Sequence, residues 1–185
     1  MAKRIICIGD SNTYGYDPAA FGGARYPEGV RWTSRLGSAW DIRNLGENGR
    51  EIPSSSFAVR VLLDQVRSRL CLMLGTNDLL CGASPAEAAE RMRIFISDLL
   101  VCGLPLLLVA PPLMQSGTWV ESDALIRSSG QLAPLYRDLA ALCGVSFCDA
   151  SGWDIPVVFD GVHFSEQGHR RFAEQLEPVF AQMFL

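Results

Sequence analysis

The chain lacks several features by which broad classes of protein are recognised. No stretch approaches eighteen uninterrupted apolar residues, so we expect no transmembrane segment. The 16 basic residues are outnumbered by 20 acidic ones, and the net charge of −4 argues against binding to nucleic acid or to an anionic membrane. Histidine occurs only twice, at His163 and His169. Any chemistry that needs an imidazole must therefore use one of these two side chains.

The six cysteines lack the spacing of a metal site or of a disulfide framework. No C-x-x-C pair occurs, and most of the cysteines lie in apolar runs, which is typical of buried, reduced thiols in a cytoplasmic protein. Together with the two histidines they offer no metal-ligand spacing, and we predict no metal site. The N-terminal MAKRIICIGD contains too short an apolar run for a signal sequence, and it lacks a small-residue cleavage site.

What is present is an ordinary globular composition in alternating segments. With 185 residues, 49% of them apolar, the chain is predicted to form a single domain over residues 1–185. Strands are predicted at residues 4–8, 41–44, 70–74, 106–110 and 145–148, and helices at residues 30–40, 55–67, 85–101, 122–142 and 165–184. This alternation predicts a five-stranded parallel sheet covered on both faces, which is a three-layer α/β/α, flavodoxin-like fold.

The ends of the helices are marked most clearly around the third predicted helix. Ser84 precedes Pro85, and Glu87 stands three residues after the serine, which is the pattern of an N-terminal capping box. Gly103 is expected to end this helix. Pro178 lies inside the last predicted helix, and we expect it to kink or split that helix.

Small and polar residues follow four of the predicted strands. GDSN follows the first strand, NLGENGRE the second and GTND the third, and FDGVHFS comes after the fifth strand, past an intervening loop. Ligands of open α/β sheets bind outside the carboxyl ends of the strands. The sheet would therefore bring a hydroxyl, an amide, carboxylates and an imidazole to one rim.

A serine nucleophile is the most specific interpretation of these segments. Asp160 stands three residues before His163 with Gly161 between them, so its carboxylate can accept a hydrogen bond from one ring nitrogen and stabilise the imidazolium. Ser11 becomes an effective nucleophile only when such a base lies within hydrogen-bond reach. The alternative is that D-x-x-H merely caps the last helix and that GDSN is an ordinary turn.

Acyl transfer further requires an oxyanion hole, a set of donors aimed at the negative oxygen of a tetrahedral intermediate. Asn77 offers a side-chain amide, and Gly49 and Ser11 offer backbone N–H groups. Taken singly, Asn77 and Gly49 are equally typical of turns. Gly46 lies three residues before Gly49, and of the two glycines we favour Gly49.

Together these segments resemble the SGNH hydrolase superfamily, the GDSL-type esterases and lipases. The family's serine, glycine, asparagine and D-x-x-H blocks are matched in order, over essentially the whole chain, by Gly9-Asp10-Ser11, Gly49, Gly75-x-Asn77-Asp78 and Asp160-x-x-His163. The stretches GDSNTYGYD, VRWTSRL and NLGENGRE further resemble the arylesterase-like branch. The resemblance implies an SGNH fold, a small-molecule ester as substrate and no cofactor.

By this resemblance, Ser11 is the nucleophile, His163 the base and Asp160 the residue that orients the base. The Ser11 and Gly49 N–H groups and the Asn77 amide form the oxyanion hole. The expected reaction is a two-step acyl transfer through an acyl-enzyme. The pattern G-x-S-x-G is absent, which argues against the α/β-hydrolase alternative.

The loop after the fourth predicted strand is a candidate wall of the substrate pocket. In the loop APPLMQSGTWVE, Pro111, Pro112 and Leu113 are predicted to line the pocket, and Asn12 and Val162 are further candidates. Asn12 stands where the GDSL name has leucine, and we expect it to alter the polarity of the pocket without contacting the catalytic residues. An ordinary packed loop is an equal alternative for the APPLMQSGTWVE segment.

Several substrates and one other class of protein suit the same residues. A short-chain ester, an aryl ester, an acetylated sugar or an acyl thioester would each fit this set, and transfer to an alcohol competes with hydrolysis. A catalytically silent module that binds a small ligand is the alternative of another class, although such a module needs no complete serine, histidine and aspartate set. A homo-oligomer is compatible with the resemblance, because related arylesterases often assemble.

Overall fold

The computed structural model describes residues 2–20, 22–55 and 68–184. The strands are β1 (Lys3–Gly9), β2 (Trp40–Gly46), β3 (Arg69–Met73), β4 (Leu106–Ala110) and β5 (Ser146–Asp149). They form a five-stranded sheet in the order β2-β1-β3-β4-β5, and every neighbouring pair is parallel. This is the strand order of flavodoxin-like sheets, so the predicted fold class is confirmed.

The carboxyl ends of β1, β2 and β3 lie level with one another. In the register of the sheet, Gly9 at the end of β1 pairs with Gly46 on β2 and with Met73 on β3. The segments that follow these three strands therefore begin side by side. We call this edge of the sheet the carboxyl rim.

Different helices cover the two faces of the sheet. Within the described ranges the helices are α1 (Ser11–Tyr14), α2 (Trp32–Arg35), α3 (Thr76–Leu80), α4 (Pro85–Leu100), α5 (Asp123–Cys143) and α6 (Glu166–Phe184). The buried side chains of α4 and α5 join an apolar cluster on one face, and those of α2 and α6 join a cluster on the other. The layers are therefore helix, sheet and helix, as the sequence predicts.

Side chains along the central strands alternate between these two clusters. Ile6 and Ile8 of β1 pack with α4 and α5, whereas Ile5 and Cys7 pack with α6. None of these four side chains is more than 1% exposed. Burial on both faces is why the strand is continuously apolar in sequence, with no alternation of polar residues.

The helix signals around Ser84 are confirmed at α4. Ser84 Oγ accepts the Glu87 N–H at 3.2 Å, and Glu87 Oε2 accepts the Ser84 N–H at 2.7 Å, so the capping box is present. The helix ends at Leu100, one residue before the predicted end. Gly103 follows with a φ of 65°, a left-handed conformation that glycine adopts without steric cost.

The helix predicted at residues 30–40 is largely wrong. Only α2 is helical there, and Leu36 already has extended backbone angles. Trp40 is the first residue of β2, and its ring packs edge to face against Phe180 at a centroid distance of 5.7 Å. Packing against a distant helix therefore outweighs the local helical pattern at this tryptophan.

The last helix does not split at Pro178 but continues to Phe184. Phe180 is fully buried and Phe184 is 6% exposed, so contacts with the core stabilise the turns that follow the proline. The helix predicted at residues 55–67 lies, except for Ser55, outside the described residues.

All six cysteines are free. Cys7, Cys71 and Cys148 are buried, as predicted, whereas Cys81 is exposed. No helix in the described ranges is both long enough and apolar enough to cross a membrane. The cytoplasmic location stays a prediction.

Candidate active site

Ser11 is the first residue of α1 and follows β1 after a single linking residue, Asp10. Asp10 caps this short helix, because its Oδ1 accepts the Asn12 N–H at 3.0 Å. Gly9 does not have a positive φ, but a Cβ at this position would lie 2.0 Å from Thr13 Oγ1. Close approach of α1, and not an unusual backbone angle, therefore explains the glycine. We call residues 9–15 the Ser11 turn.

Asp10 places a buried carboxyl group beside the serine. It is 1% exposed, and burial raises its pKa to about 6, although the Asn12 N–H and the nearby His163 act in the opposite direction. Ser11 itself is 2% exposed. Asp10 therefore retains a proton at a higher pH in the fold than a solvated aspartate does.

Asp160 and His163 contact each other within one turn after β5, which we call the His163 turn (residues 158–164). His163 Nδ1 lies 2.7 Å from Asp160 Oδ2, and Asp160 Oδ1 accepts the N–H groups of Val162 and His163, each at 2.9 Å. Gly161 between them has a φ of 83°, which favours glycine. With Nδ1 engaged by the carboxylate, Nε2 is the ring nitrogen available to exchange a proton.

Asp160 stays ionised in this buried position. Burial raises its pKa, but the hydrogen bonds from the His163 ring and from the N–H groups of His163 and Val162 outweigh burial and lower the pKa below its ordinary value. Asp160 is 1% exposed and His163 is 2% exposed. An ionised aspartate in contact with a histidine stabilises the protonated imidazole.

The loop after β4 supports the His163 turn through its backbone. Three of its N–H groups donate to carbonyl oxygens of that turn at 2.9 to 3.1 Å: Gln115 to Gly161, Thr118 to Phe159 and Trp119 to Asp160. A Cβ on Gly117 would lie 2.3 Å from the carbonyl carbon of Asp160, so the two segments pack backbone against backbone. The sequence suggests either a pocket wall or an ordinary packed loop here, and neither interpretation includes support of the His163 turn, for which the glycine in QSGTW is the local signal.

Aromatic side chains surround the His163 ring. Tyr16 and Trp119 each meet the imidazole edge to face, with centroid distances of 4.8 and 5.0 Å. Trp119 is 50% exposed. Tyr16 was not identified from the sequence, because nothing local to GYD indicates a contact with a residue so distant in the chain. The histidine therefore lies beside an apolar surface that is open to solvent.

The glycine and asparagine segments of the carboxyl rim are tied to each other. Asn77 lies in α3, and its Nδ2 donates to the Arg50 carbonyl oxygen at 3.0 Å. The next residue, Asp78, accepts the Ile52 N–H at 3.0 Å and pairs with the Arg91 guanidinium at 2.9 Å. These bonds attach the segment after β2 to the end of β3.

The two glycines after β2 differ in what surrounds them. The Gly46 N–H already donates to Asn44 Oδ1 at 2.8 Å, and a Cβ on Gly46 would lie 2.1 Å from the Tyr14 nitrogen. Gly49 is exposed with a φ of 74°, and a Cβ there would meet nothing within 4 Å. No described residue accepts the Gly49 N–H. Of the two, Gly49 therefore has the N–H that can meet a ligand.

The five predicted pocket residues differ in exposure. Leu113 is 37% exposed, Pro112 is half-buried and Pro111 is buried. Asn12 and Val162 are 7% and 5% exposed, which leaves little of either side chain to contact a substrate. A cavity of about 300 Å³ opens beside Leu113, between the loops that follow β4 and β5. Leu113 is the predicted pocket residue that is most open to a ligand.

Comparison with known proteins extends the similarity over the whole chain. The model of the GDSL-like Lipase/Acylhydrolase family matches residues 7–171. Among solved structures, the M. Smegmatis aryl esterase is 26% identical over 99% of this chain and 100% of its own, with a TM-score of 0.83. A carbohydrate acetylesterase family member from Sinorhizobium meliloti is 28% identical over 98% of each chain, with a TM-score of 0.81. A search of curated proteins returned no match.

The family model spans most of the chain. The two esterase structures superpose on this chain along nearly its full length. The parallel sheet and its strand order agree with the fold that the sequence resemblance implies. The chain therefore belongs to the GDSL-like lipase/acylhydrolase family of SGNH hydrolases and is a carboxylic ester hydrolase.

Proposed function

We propose that this hydrolase is a serine esterase that cleaves small carboxylic esters through an acyl-enzyme on Ser11. The observation that carries the proposal is the buried 2.7 Å contact between His163 Nδ1 and Asp160 Oδ2. That contact leaves His163 Nε2 as the base for the Ser11 hydroxyl. No cofactor takes part, and the 185 residues act as a single catalytic domain.

The reaction proceeds by two acyl transfers. His163 Nε2 takes the proton of Ser11 Oγ as that oxygen attacks the ester carbonyl carbon. The bond to the leaving oxygen then breaks, the leaving group receives the proton from His163 and departs as an alcohol, and the acyl group remains on Ser11. Water attacks the acyl-enzyme and gives a proton to His163, which returns it to Ser11 as the carboxylic acid leaves. Asp160 stabilises the imidazolium in both steps.

Three donors form the oxyanion hole in this proposal: the N–H groups of Ser11 and Gly49 and the side-chain amide of Asn77. Gly49 is supported by its open position and its unoccupied N–H. One hydrogen of the Asn77 amide is engaged by the Arg50 carbonyl oxygen, so the second hydrogen is the one that meets the substrate. The bond to Arg50 also orients the amide before the substrate arrives, which is the condition for effective electrostatic stabilisation.

The apolar surface beside His163 favours esters with an aryl or other apolar group. Trp119 contacts the His163 ring and is 50% exposed, and Leu113 in the same loop is 37% exposed. The M. Smegmatis aryl esterase, at 26% identity, and the carbohydrate acetylesterase family member, at 28%, resemble this chain to the same extent, so the expected preference for an aryl ester rests on Trp119.

The first test compares the wild type with Ser11→Ala in the hydrolysis of p-nitrophenyl acetate. Turnover should fall by a factor on the order of 10⁴ or more, because the triad acts as a unit. Ser129→Ala is the matched control, since among the described residues its buried hydroxyl bonds to the backbone of Met114 and Ile126 alone, and it should keep its activity. Circular dichroism checks folding in both variants. Equal rates in wild type and Ser11→Ala would mean that another group performs the chemistry.

The substrate class is tested with a panel of acetate esters of phenol, ethanol and a monosaccharide. We expect the highest kcat/KM for the aryl ester, and Trp119→Ala should reduce the preference for it. A higher kcat/KM for the acetylated sugar would contradict the assignment. Product analysis in mixtures of alcohol and water separates hydrolysis from transfer of the acyl group to the alcohol.

A further inference from the structure

Asn12 connects the Ser11 turn to the His163 turn through both ends of its side-chain amide. Its Nδ2 donates to the Val162 carbonyl oxygen at 3.1 Å, and its Oδ1 accepts the Phe164 N–H at 2.9 Å. Val162 and Phe164 are the residues immediately before and after His163. One side chain therefore binds the backbone on either side of the histidine.

The backbone of Asn12 is anchored as well. Its N–H donates to Asp10 Oδ1 at 3.0 Å, and its carbonyl oxygen accepts the indole N–H of Trp32 at 3.0 Å. Trp32 is 1% exposed, and its ring packs against Phe172 in the core. Each polar group of Asn12 thus has a partner within the protein, and the residue is only 7% exposed, which leaves little of it for a substrate.

We infer that Asn12 is a positioning residue that sets the distance between the Ser11 hydroxyl and the His163 imidazole. The inference rests on the proposed roles of Ser11 and His163. Asp160 orients the imidazole, but it belongs to the same turn as His163 and moves with it, so its contact cannot place that turn relative to Ser11. Asn12 follows Ser11 directly in the chain, and its two bonds tie the histidine backbone to the serine backbone.

Asparagine is suited to this task because its amide is both a donor and an acceptor. Leucine, the residue in the GDSL name, has a similar size but no polar atom. Asn12→Leu would leave the Val162 carbonyl and the Phe164 N–H without their present partner. The buried amide thus has a role different from the pocket polarity that the sequence suggests.

The kinetic test separates a positioning residue from a substrate contact. For p-nitrophenyl acetate, kcat of Asn12→Leu should fall by roughly 10- to 100-fold with little change in KM, because a small misplacement of a catalytic group costs about this much. A change in KM and in ester preference with kcat unchanged would overturn the inference. If Asn12→Leu does not fold, Asn12→Ala replaces it in every measurement.

A double-mutant cycle with His163→Ala tests whether Asn12 acts through the histidine. In that background Asn12→Leu should leave the residual rate unchanged, since there is no imidazole left to position. An equal loss in both backgrounds would refute the role of Asn12 and leave the proposed function intact. A His163→Ala variant as active as the wild type would instead refute the proposed function itself.

Asn44→Leu is the matched control. Asn44 also anchors α1, because its Nδ2 donates to the Thr13 carbonyl oxygen at 2.7 Å, but it connects that helix to β2 and not to the His163 turn. Its kcat should stay within a few-fold of the wild type, even where thermal stability falls as much as in Asn12→Leu. An equal loss of kcat in both variants would show that any loosening of α1 is sufficient, and the inference would fail.

Discussion

The two histidines of this chain are buried to nearly the same extent, but their ring nitrogens meet different partners. His163 is 2% exposed and His169 is 0% exposed. His163 Nδ1 contacts the Asp160 carboxylate at 2.7 Å. His169 Nδ1 accepts the backbone N–H of Trp32 at 3.4 Å, and His169 Nε2 has no hydrogen-bond partner among the described residues.

The surroundings of His169 keep its ring neutral. Burial, together with the charges of Arg31 and Arg35, lowers the pKa of His169 to about 3. Tyr26 and Phe164 pack edge to face against its ring at 5.2 and 5.5 Å, so His169 is a neutral part of the core. The ring of His163, in contrast, contacts the ionised carboxylate of Asp160.

Replacing each histidine in turn should give opposite kinetic results. His163→Ala should lower kcat/KM for p-nitrophenyl acetate on the order of 10⁴-fold or more, because the triad loses its base. His169→Phe should change kcat/KM by less than a few-fold, since that ring stays neutral inside the core. Steady-state kinetics on folded protein check both. Comparable losses in the two variants would remove the distinction between the two histidines.

Removing the partner that distinguishes His163 should have the next largest effect. Asp160→Asn should lower kcat by roughly 10³- to 10⁴-fold, because the amide neither fixes the same tautomer nor stabilises the imidazolium. Asp41→Asn is the control, since Asp41 is an exposed carboxylate paired with Arg4. A kcat for Asp160→Asn near that of the wild type would show that His163 needs no ionised partner.

His169 should make the fold sensitive to acid. Its pKa of about 3 lies below the ordinary value of 6.5, so the unfolded chain binds this proton more readily, and stability is lost as pH falls from about 6.5 towards 3. Between about pH 7 and about pH 4.5 the contribution of His169 to stability should fall by roughly 2.5 kcal/mol, and it is read as the difference between wild type and His169→Phe, because Asp10 titrates in both proteins. Urea unfolding at both pH values measures the difference. Parallel pH profiles for the two proteins would contradict the assignment.

Asp10 should act in the opposite direction and with a smaller effect. Its pKa of about 6 lies above the ordinary 3.8, so the native state binds this proton more readily, and stability is lost as pH rises from about 4 through 6. Asp10→Asn keeps an oxygen for the Asn12 N–H but does not titrate. The variant should gain about 2 kcal/mol relative to the wild type between pH 4 and 7 in urea unfolding. A constant difference across that range would mean that burial does not control this carboxyl group.

Much of the fold could be predicted because its signals are local. Ser84 and Glu87 form the capping box that their spacing indicates, and the continuous apolar character of β1 reflects burial on both faces. The helix predicted through Trp40 was wrong because a contact with Phe180, far along the chain, places that tryptophan in the sheet. Pro178 does not interrupt α6, since core contacts outweigh the loss of one backbone hydrogen bond.

The candidate site likewise contains one contact that a local pattern indicates and others that no local pattern indicates. Asp160 and His163 are three residues apart, so a turn in the sequence is sufficient to suggest their contact. The partners of Asn12 lie 150 and 152 residues away, and no local pattern indicates that its amide binds the chain on both sides of His163. The contact of Tyr16 with the His163 ring was missed for the same reason.

The sequence by itself determined the alternating strands and helices and the polar segments after the strands, because each depends on residues close together in the chain, and it determined the family because four such local blocks follow one another in order. Only the tertiary structure decided that His169 is a neutral core residue, that Gly49 has the open N–H and that Asn12 faces the His163 turn. Desolvation and hydrogen-bond partners arise from segments that meet only in the folded chain. Desolvation sets the proton affinity of a site, and hydrogen-bond partners set its geometry. No local pattern in the sequence indicates either of them.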